Sequence, residues 1–289
     1  MKRIAILGCE NSHADAFLRF IKEKEEFSDV AVVGVYSDDT AAAEALNAKY
    51  GVPVMAHFAD AVGKIDGLII TARHGDNHYK YAKPYISSGI PMFIDKPITI
   101  SESEALDFMR ELRDNGVKIS GGSSLKQDEC VRRLRDDALA ETDGRTVGGY
   151  VRAPIMMENK YGGFYFYSQH LVEMVCSIFG RYPESVEARR NGAQIHVLFH
   201  YADYDCVGLY CDNGSLYYAA RMAEKGSSGY SIPATNDWYC EELREFYAIL
   251  TGAMESASYE DFISPVFIMN AIERSLDSGR EEAVHAIVL

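Results

Sequence analysis

Long apolar runs are missing from this chain of 289 residues, and no stretch could span a bilayer as a helix. The N-terminus opens with two basic residues and an apolar run, as a signal peptide does. That run is only Ile4–Leu7 before Gly8, well short of the ~7–15 residues such a peptide needs, so it reads as a first β-strand and the protein as cytoplasmic. Basic charge is scarce too. Against 29 lysines and arginines stand 43 acids, a formal charge of -14, and such a surface repels nucleic-acid phosphates and anionic membranes. The six cysteines (Cys9, Cys130, Cys176, Cys206, Cys211 and Cys240) form no CxxC pair and no His/Cys cluster with zinc spacing. No metal is therefore expected, and the thiols read as buried groups in a reducing compartment. Repeats and low-complexity tracts are absent as well. What is left is the composition of an ordinary globular protein, long enough for one large domain or two of ordinary size.

The first 120 or so residues alternate strand and helix signals. Short apolar runs at Ile4–Leu7, Val30–Tyr36, Gly67–Thr71, Pro91–Ile94 and Val117–Ser120 predict strands. Helical spacing appears at Ala14, Phe17, Leu18 and Ile21, over Thr40–Tyr50 with its stop at Gly51, from His78 to Ser88, and over Glu102–Asn115 behind a Ser101 cap. Apolar strands separated by helices imply a parallel, doubly wound sheet whose ligands bind beyond the carboxyl ends of the strands.

The pattern changes near residue 122. After a helix at Asp128–Leu139 come strand-like runs at Thr146–Arg152, Ser185–Arg190, Gln194–His200, Cys206–Cys211 and Ser215–Ala220, with Asp212-Asn213-Gly214 as a hairpin signal. Helices are expected at Ser168–Phe179, Asn236–Thr251 and Ser264–Ser278. The expected architecture is an α/β Rossmann domain over 1–122, followed by an α+β domain over 123–289 with an open, mainly antiparallel sheet.

The first strand–turn–helix reads Ile4-Ala5-Ile6-Leu7-Gly8-Cys9-Glu10-Asn11-Ser12-His13. A dinucleotide fingerprint would place glycines at 8, 10 and 13, and only Gly8 is present. Glu10 puts a carboxylate where a pyrophosphate would approach. Asn11 and Ser12 are candidates to cap the helix and aim its N–H groups at an anion.

Three further segments stand in a telling order: DGLIITARHGDNH at Asp66–His78, Phe93-Ile94-Asp95-Lys96-Pro97, and GGFYFYSQHLVE from Gly162 to Glu173. Together with the run from Ala43 to Gly51 and the closing helix through Ala271, Ser275 and Gly279, the whole chain resembles the glucose–fructose oxidoreductase / inositol dehydrogenase / rhizopine catabolism (Gfo/Idh/MocA) family. The resemblance implies NAD, or NADP, as cofactor. It makes Lys96 the lysine near nicotinamide and substrate hydroxyl, and His170 the acid/base, with Asp95 in place of the family's glutamate and Pro97 shaping the turn. The family often has an aspartate one turn before the histidine, where this chain has Phe166, so Tyr167 or Glu173 is expected to assist His170. Thr71, Arg73 and His78, on the third strand and its turn, are candidates to contact the cofactor, with a structural role as the alternative for His78, and Lys126 is placed to meet substrate. The ribose-gripping acid should end the second strand, but that position is Ser37. Asp38, shifted into the role, would favour NAD over NADP.

These residues predict an oxidoreductase that moves a hydride between NAD(P) and a hydroxyl-bearing carbon of a small sugar, polyol or related compound. The alternatives are a non-catalytic ligand-binding or regulatory protein on the same scaffold, motivated by the degenerate fingerprint, and an elimination or hydrolysis with a tightly held cofactor. A homodimer or homotetramer through the second sheet is expected, because one of its faces needs a cover.

Overall fold

The computed structural model describes residues 1–212, 214–233, 235 and 237–289. Five parallel strands, β1 (Lys2–Leu7), β2 (Val30–Tyr36), β3 (Gly67–Ile70), β4 (Met92–Asp95) and β5 (Ile119–Gly122), form a first sheet in the order β2-β1-β3-β4-β5. Helices α1 (Ser12–Glu23), α2 (Thr40–Tyr50), α3 (Asp76–Ala82) and α4 (Glu102–Asp114) connect them. The side chains of β1 divide by parity. Ile4 and Ile6 join one apolar cluster with Phe17, Ile69 and Phe93, while Ala5 and Leu7 join the other with Leu68, Ile70 and Ile94. Both faces are thus buried, which is why these strands read as unbroken apolar runs. The strand order reverses between β1 and β3, and the crevice at that switch point is where such sheets hold ligands.

Two expected elements are corrected here. The helix expected at His78–Ser88 is α3 followed by a 3-10 turn over Lys83–Ser88, because Pro84 has no N–H to continue the ladder. The fifth strand lies two residues later than the apolar signal, ending in Gly121 and Gly122.

A second sheet has the order β11-β10-β6-β9-β8-β7-β12. Its strands are β6 (Thr146–Ile155), β7 (Ser185–Asn191), β8 (Gln194–His200), β9 (Asp205–Asp212), β10 (Tyr217–Ala223), β11 (Ser227–Ile232) and β12 (Glu282–Ala283). The sheet is mixed, because β6 and β9 run parallel while the other pairs are antiparallel. The hairpin expected at Asp212-Asn213-Gly214 does not form a paired ribbon: β6 lies between β9 and β10. A local turn signal sets a chain reversal but not the partner, and β6, with Val151, Ala153 and Ile155 buried, takes the place between them. Asn213, like Asn236 at the start of an expected helix, lies outside the described residues.

Helices α5 (Glu129–Leu139), α6 (Tyr165–Phe179), α7 (Asp237–Thr251) and α8 (Tyr259–Ser278) complete the chain. α6 and α8 pack on the second sheet, and α7 returns to α1 and β5 of the first. α8 begins five residues before its expected start and passes through Pro265. The Asp261 carbonyl, which Pro265 cannot bond, instead accepts from Arg181 Nη1 at 3.1 Å and Ser264 Oγ at 2.9 Å.

Candidate functional site

The loop after β1 opens with Gly8 at φ 77°, where a Cβ would stand 2.4 Å from the Ala72 backbone. Glycine is required by this close approach of the β3 end. Thr71 belongs to the same contact: it is buried, and its Oγ1 donates to the Gly8 carbonyl at 3.1 Å, so it braces the loop and does not face a ligand. Asn11 and Ser12 do not cap α1. Asn11 occupies the N-cap position, but its Nδ2 donates to Asp95 Oδ2 at 2.8 Å, and Ser12 Oγ donates to Asn11 Oδ1. The first-turn amides of α1 are thereby left to another acceptor.

Glu10 reaches across the sheet end. Its Oε2 accepts from Ser37 Oγ at 2.6 Å and its Oε1 from the Arg73 amide at 3.1 Å. The Arg73 guanidinium lies over the Tyr161 ring, 5.2 Å from its centroid, and donates to the Tyr161 hydroxyl. Glu10, Asp38, Asp39, His74, Asn77 and Tyr161 line a cleft of about 610 Å³ at this edge.

Lys96 follows β4 and is 5% exposed. Its Nζ stands 4.9 Å from the Phe166 ring centroid and 5.4 Å from that of Tyr167, cation–π contacts from one turn of α6. Among the described residues it has no hydrogen-bond or ion-pair partner, and burial pushes its pKa below the ordinary lysine value. His170, one turn along α6 from Phe166 and 8% exposed, packs edge-on to Tyr167 with ring centroids 5.1 Å apart. Tyr167 thus touches both groups, and α6 brings them together. The His170 Nδ1 is 2.7 Å from Ser123 Oγ, at the end of β5, and Nε2 makes no hydrogen bond among the described residues. Burial, then the nearby Lys96 charge, hold this imidazole well below its usual pKa, so it is neutral at neutral pH.

Beneath Lys96 lies a buried ionisable layer. Asp95 accepts from Asn11 and from the Lys96 amide. His13 Nδ1 is 3.3 Å from Asp95 Oδ2, and its Nε2 is 3.3 Å from Glu242 Oε2, neither contact aligned as a hydrogen bond. Burial lowers His13 to about 4 and raises both carboxyls, Glu242 by the larger margin.

Several expected site residues are engaged by partners within the chain. Glu173 does not orient His170. Its Oε1 pairs with Arg181 at 3.2 Å and its Oε2 accepts from Gln169 on the same helix, beside Gly122 at the end of β5. His78 is fully buried, with both ring nitrogens on backbone carbonyls, those of Ala72 and Ile98, so neither is free for a cofactor. Lys126 Nζ donates to the Gly121 carbonyl. Asp38 accepts from Tyr36 and Lys80 on the rim of the cleft. Pro97 follows a cis peptide bond.

Ser123, His13 and Glu242 were not anticipated. Glu242 had a readable signal: it is the one acid at the apolar positions of α7, spaced with Trp238, Phe246 and Leu250.

The residues present fit a bound NAD at three points. Lys96 supplies a buried, unpartnered ammonium at one end, carboxylates for ribose hydroxyls line the other, and the uncapped amides of α1 lie between, suited to phosphate. Glu10 does not bar this, since both its oxygens are tied to the ends of β2 and β3.

Residues 2–123 match the profile of an oxidoreductase family, Gfo/Idh/MocA, with an NAD-binding Rossmann fold. The uncharacterized oxidoreductase YhhX of Escherichia coli K12 is 24% identical over 129 residues, which are 41% of this chain and 36% of that protein. The chain thus spans about a third of the length of the curated relative it matches. Two solved structures resemble it along nearly its whole length. The myo-inositol dehydrogenase of Corynebacterium glutamicum superposes with a TM-score of 0.84 at 16% identity, covering 99% of this chain and 100% of that one. The scyllo-inositol dehydrogenase of Lactobacillus casei, solved with NAD(H) and scyllo-inositol, gives 0.84 at 15% identity over 99% and 100%. At such identities the likeness shows the fold. Among the described residues no helix is long and apolar enough to cross a membrane, and no group of three or more ligating side chains could hold a metal.

Proposed function

We propose, from the match of residues 2–123 to the Gfo/Idh/MocA oxidoreductase family with its NAD-binding Rossmann fold, that the chain oxidises a hydroxyl-bearing carbon of a small polyol or sugar, or reduces the matching ketone. The observation that carries this reading is the convergence of Lys96 and His170 on Tyr167, the first without a partner for its ammonium and the second with Nε2 unoccupied. Bound NAD supplies the hydride acceptor. The chain's own residues do the rest. Lys96 holds the substrate oxygen and stabilises the negative charge that grows on it as the proton leaves. His170 takes that proton at Nε2. When its Nδ1–H donates to Ser123 Oγ, the lone pair sits on Nε2, the tautomer a base requires. Phe166, Tyr167 and Tyr217 wall the site with aromatic surface that excludes water and suits the C–H faces of a cyclic polyol. Asp95 keeps the charge of the family's glutamate and fixes the Lys96 backbone from below.

The test is a fluorescence titration with NADH, followed by a turnover screen of inositols and hexoses with NAD. Lys96→Met should cut kcat by ~100-fold or more while leaving the melting temperature unchanged or higher, since a buried unpaired ammonium is replaced by an apolar chain. Undiminished turnover refutes the role of Lys96. Failure of NADH to bind favours the non-catalytic alternative.

The same reading divides labour at residue 122, with cofactor held by the first sheet and substrate and subunit contacts by the rest. The face of the second sheet opposite α6 and α8 exposes Val207 and Met222, the latter 48% exposed, and a second copy of the chain would cover it. Light scattering that returns a monomer mass overturns this.

A further inference from the structure

Two departures from the dinucleotide fingerprint meet in space. Serine stands at the end of β2 where an acid should hold the adenosine ribose, and glutamate stands in the β1 loop where a glycine should be. Ser37 Oγ donates to Glu10 Oε2 at 2.6 Å. We propose that the two are one exchange, in which Glu10 delivers to the end of β2 the ribose-binding carboxylate that Ser37 no longer supplies. The inference rests on the NAD reading above and names the residue that selects the cofactor.

The geometry makes the arrangement rigid. The Asp39 amide donates to Ser37 Oγ at 3.1 Å, so the hydroxyl has its acceptor side occupied and its proton committed to Glu10. On the other side the Arg73 amide at the end of β3 holds Oε1. The carboxylate is pinned between the ends of β2 and β3, over the switch point, with one lone pair of each oxygen still free toward the cleft. A vicinal diol can donate to both oxygens at once. The rival acids are otherwise engaged: Asp38 accepts from Tyr36 and Lys80, and Asp39 caps α2 by accepting from the Ala42 amide. A 2′-phosphate at the same place would meet Glu10 in a cleft also lined by Asp38, Asp39 and Asp76 against the single Lys160, with Lys80 already paired to Asp38, and be repelled.

The experiment is a titration of the purified protein with NADH and with NADPH, read by nucleotide fluorescence and repeated calorimetrically, with circular dichroism and melting as controls of folding. The wild type should bind NADH and bind NADPH ~100-fold more weakly. Glu10→Gln, nearly isosteric, should weaken NADH about tenfold and narrow the preference. Ser37→Asp alone sets two carboxylates against each other and should weaken NADH. The double variant Glu10→Gly with Ser37→Asp rebuilds the usual fingerprint and should return NADH affinity to within about threefold of wild type, a non-additive recovery. If folded Glu10→Gln binds NADH as tightly as wild type or more so, Glu10 is an obstacle and the proposal falls while the family reading stands. A folded double variant that does not recover overturns it equally. Wild-type protein that binds neither nucleotide overturns both.

Discussion

Replacing His78 tests whether the acid limit of this fold is set beside its site. The imidazole is fully buried between the Ala72 carbonyl, 2.8 Å from Nε2, and the Ile98 carbonyl, 3.2 Å from Nδ1, and in its neutral form its single N–H donates to only one of them. Burial, the dominant cause, pushes its pKa down to about 4. An unfolded chain would have ~6.5. As pH falls, the unfolded state takes up this proton first, so stability that is complete above pH ~6.5 is lost progressively down to about 4. The ceiling of that loss is about 3 kcal/mol, and about 2 kcal/mol of it falls between pH 7 and pH 5. Urea unfolding followed by circular dichroism across that range should show a decline about 2 kcal/mol shallower in His78→Gln than in wild type. Whatever the substitution costs at pH 7 drops out of the comparison. Parallel curves, agreeing within ~0.5 kcal/mol, would mean that His78 is not held neutral by burial, and the reasoning fails.

Ser123→Ala should lower kcat/KM ~10-fold by freeing the His170 tautomer and ring orientation, with little change in melting. Glu173→Ala should do the reverse: it strands the Arg181 guanidinium, which is 27% exposed, and should cost about 3 kcal/mol in chemical unfolding while kcat stays near wild type. Gly121→Ala puts a Cβ 2.0 Å from the Ile94 carbonyl at φ 118°, so it should cost more than ~4 kcal/mol or yield insoluble protein. Wild-type melting in that variant would show that the strand ends can separate.

The first sheet was legible because each of its strands is covered on both faces. Its apolar runs and intervening helices needed no long-range knowledge to be read. The order of the second sheet was not, since a turn motif reports a reversal and not the strand that inserts beside it. β11 escaped notice because Ser227–Ile232 has only Tyr230 and Ile232 as large apolar side chains. In the site, Lys96, Tyr167 and His170 were singled out through the family resemblance, and their side chains meet only because α6 docks at the end of β4. The partner of His170 was misread for a physical reason. Glu173 is near in sequence, but three positions along a helix turns it toward Arg181, whereas Ser123 arrives from a strand 47 residues earlier. Ser37 and Glu10, each legible as a departure, gained meaning only when their side chains were found in contact.

The return of α7 to the first sheet makes the chain hard to cut. Phe246 and Leu250 sit over Gly67, where an added Cβ would meet Leu250 at 2.8 Å and Phe246 at 3.0 Å, and they share one apolar cluster with Phe17, Ile69 and Phe93. A nucleotide-binding half truncated after residue 122 would therefore bare a greasy seam made for its own distant helix. Anyone wishing to graft or shorten this scaffold should carry residues 237–251 along with the half they appear not to belong to.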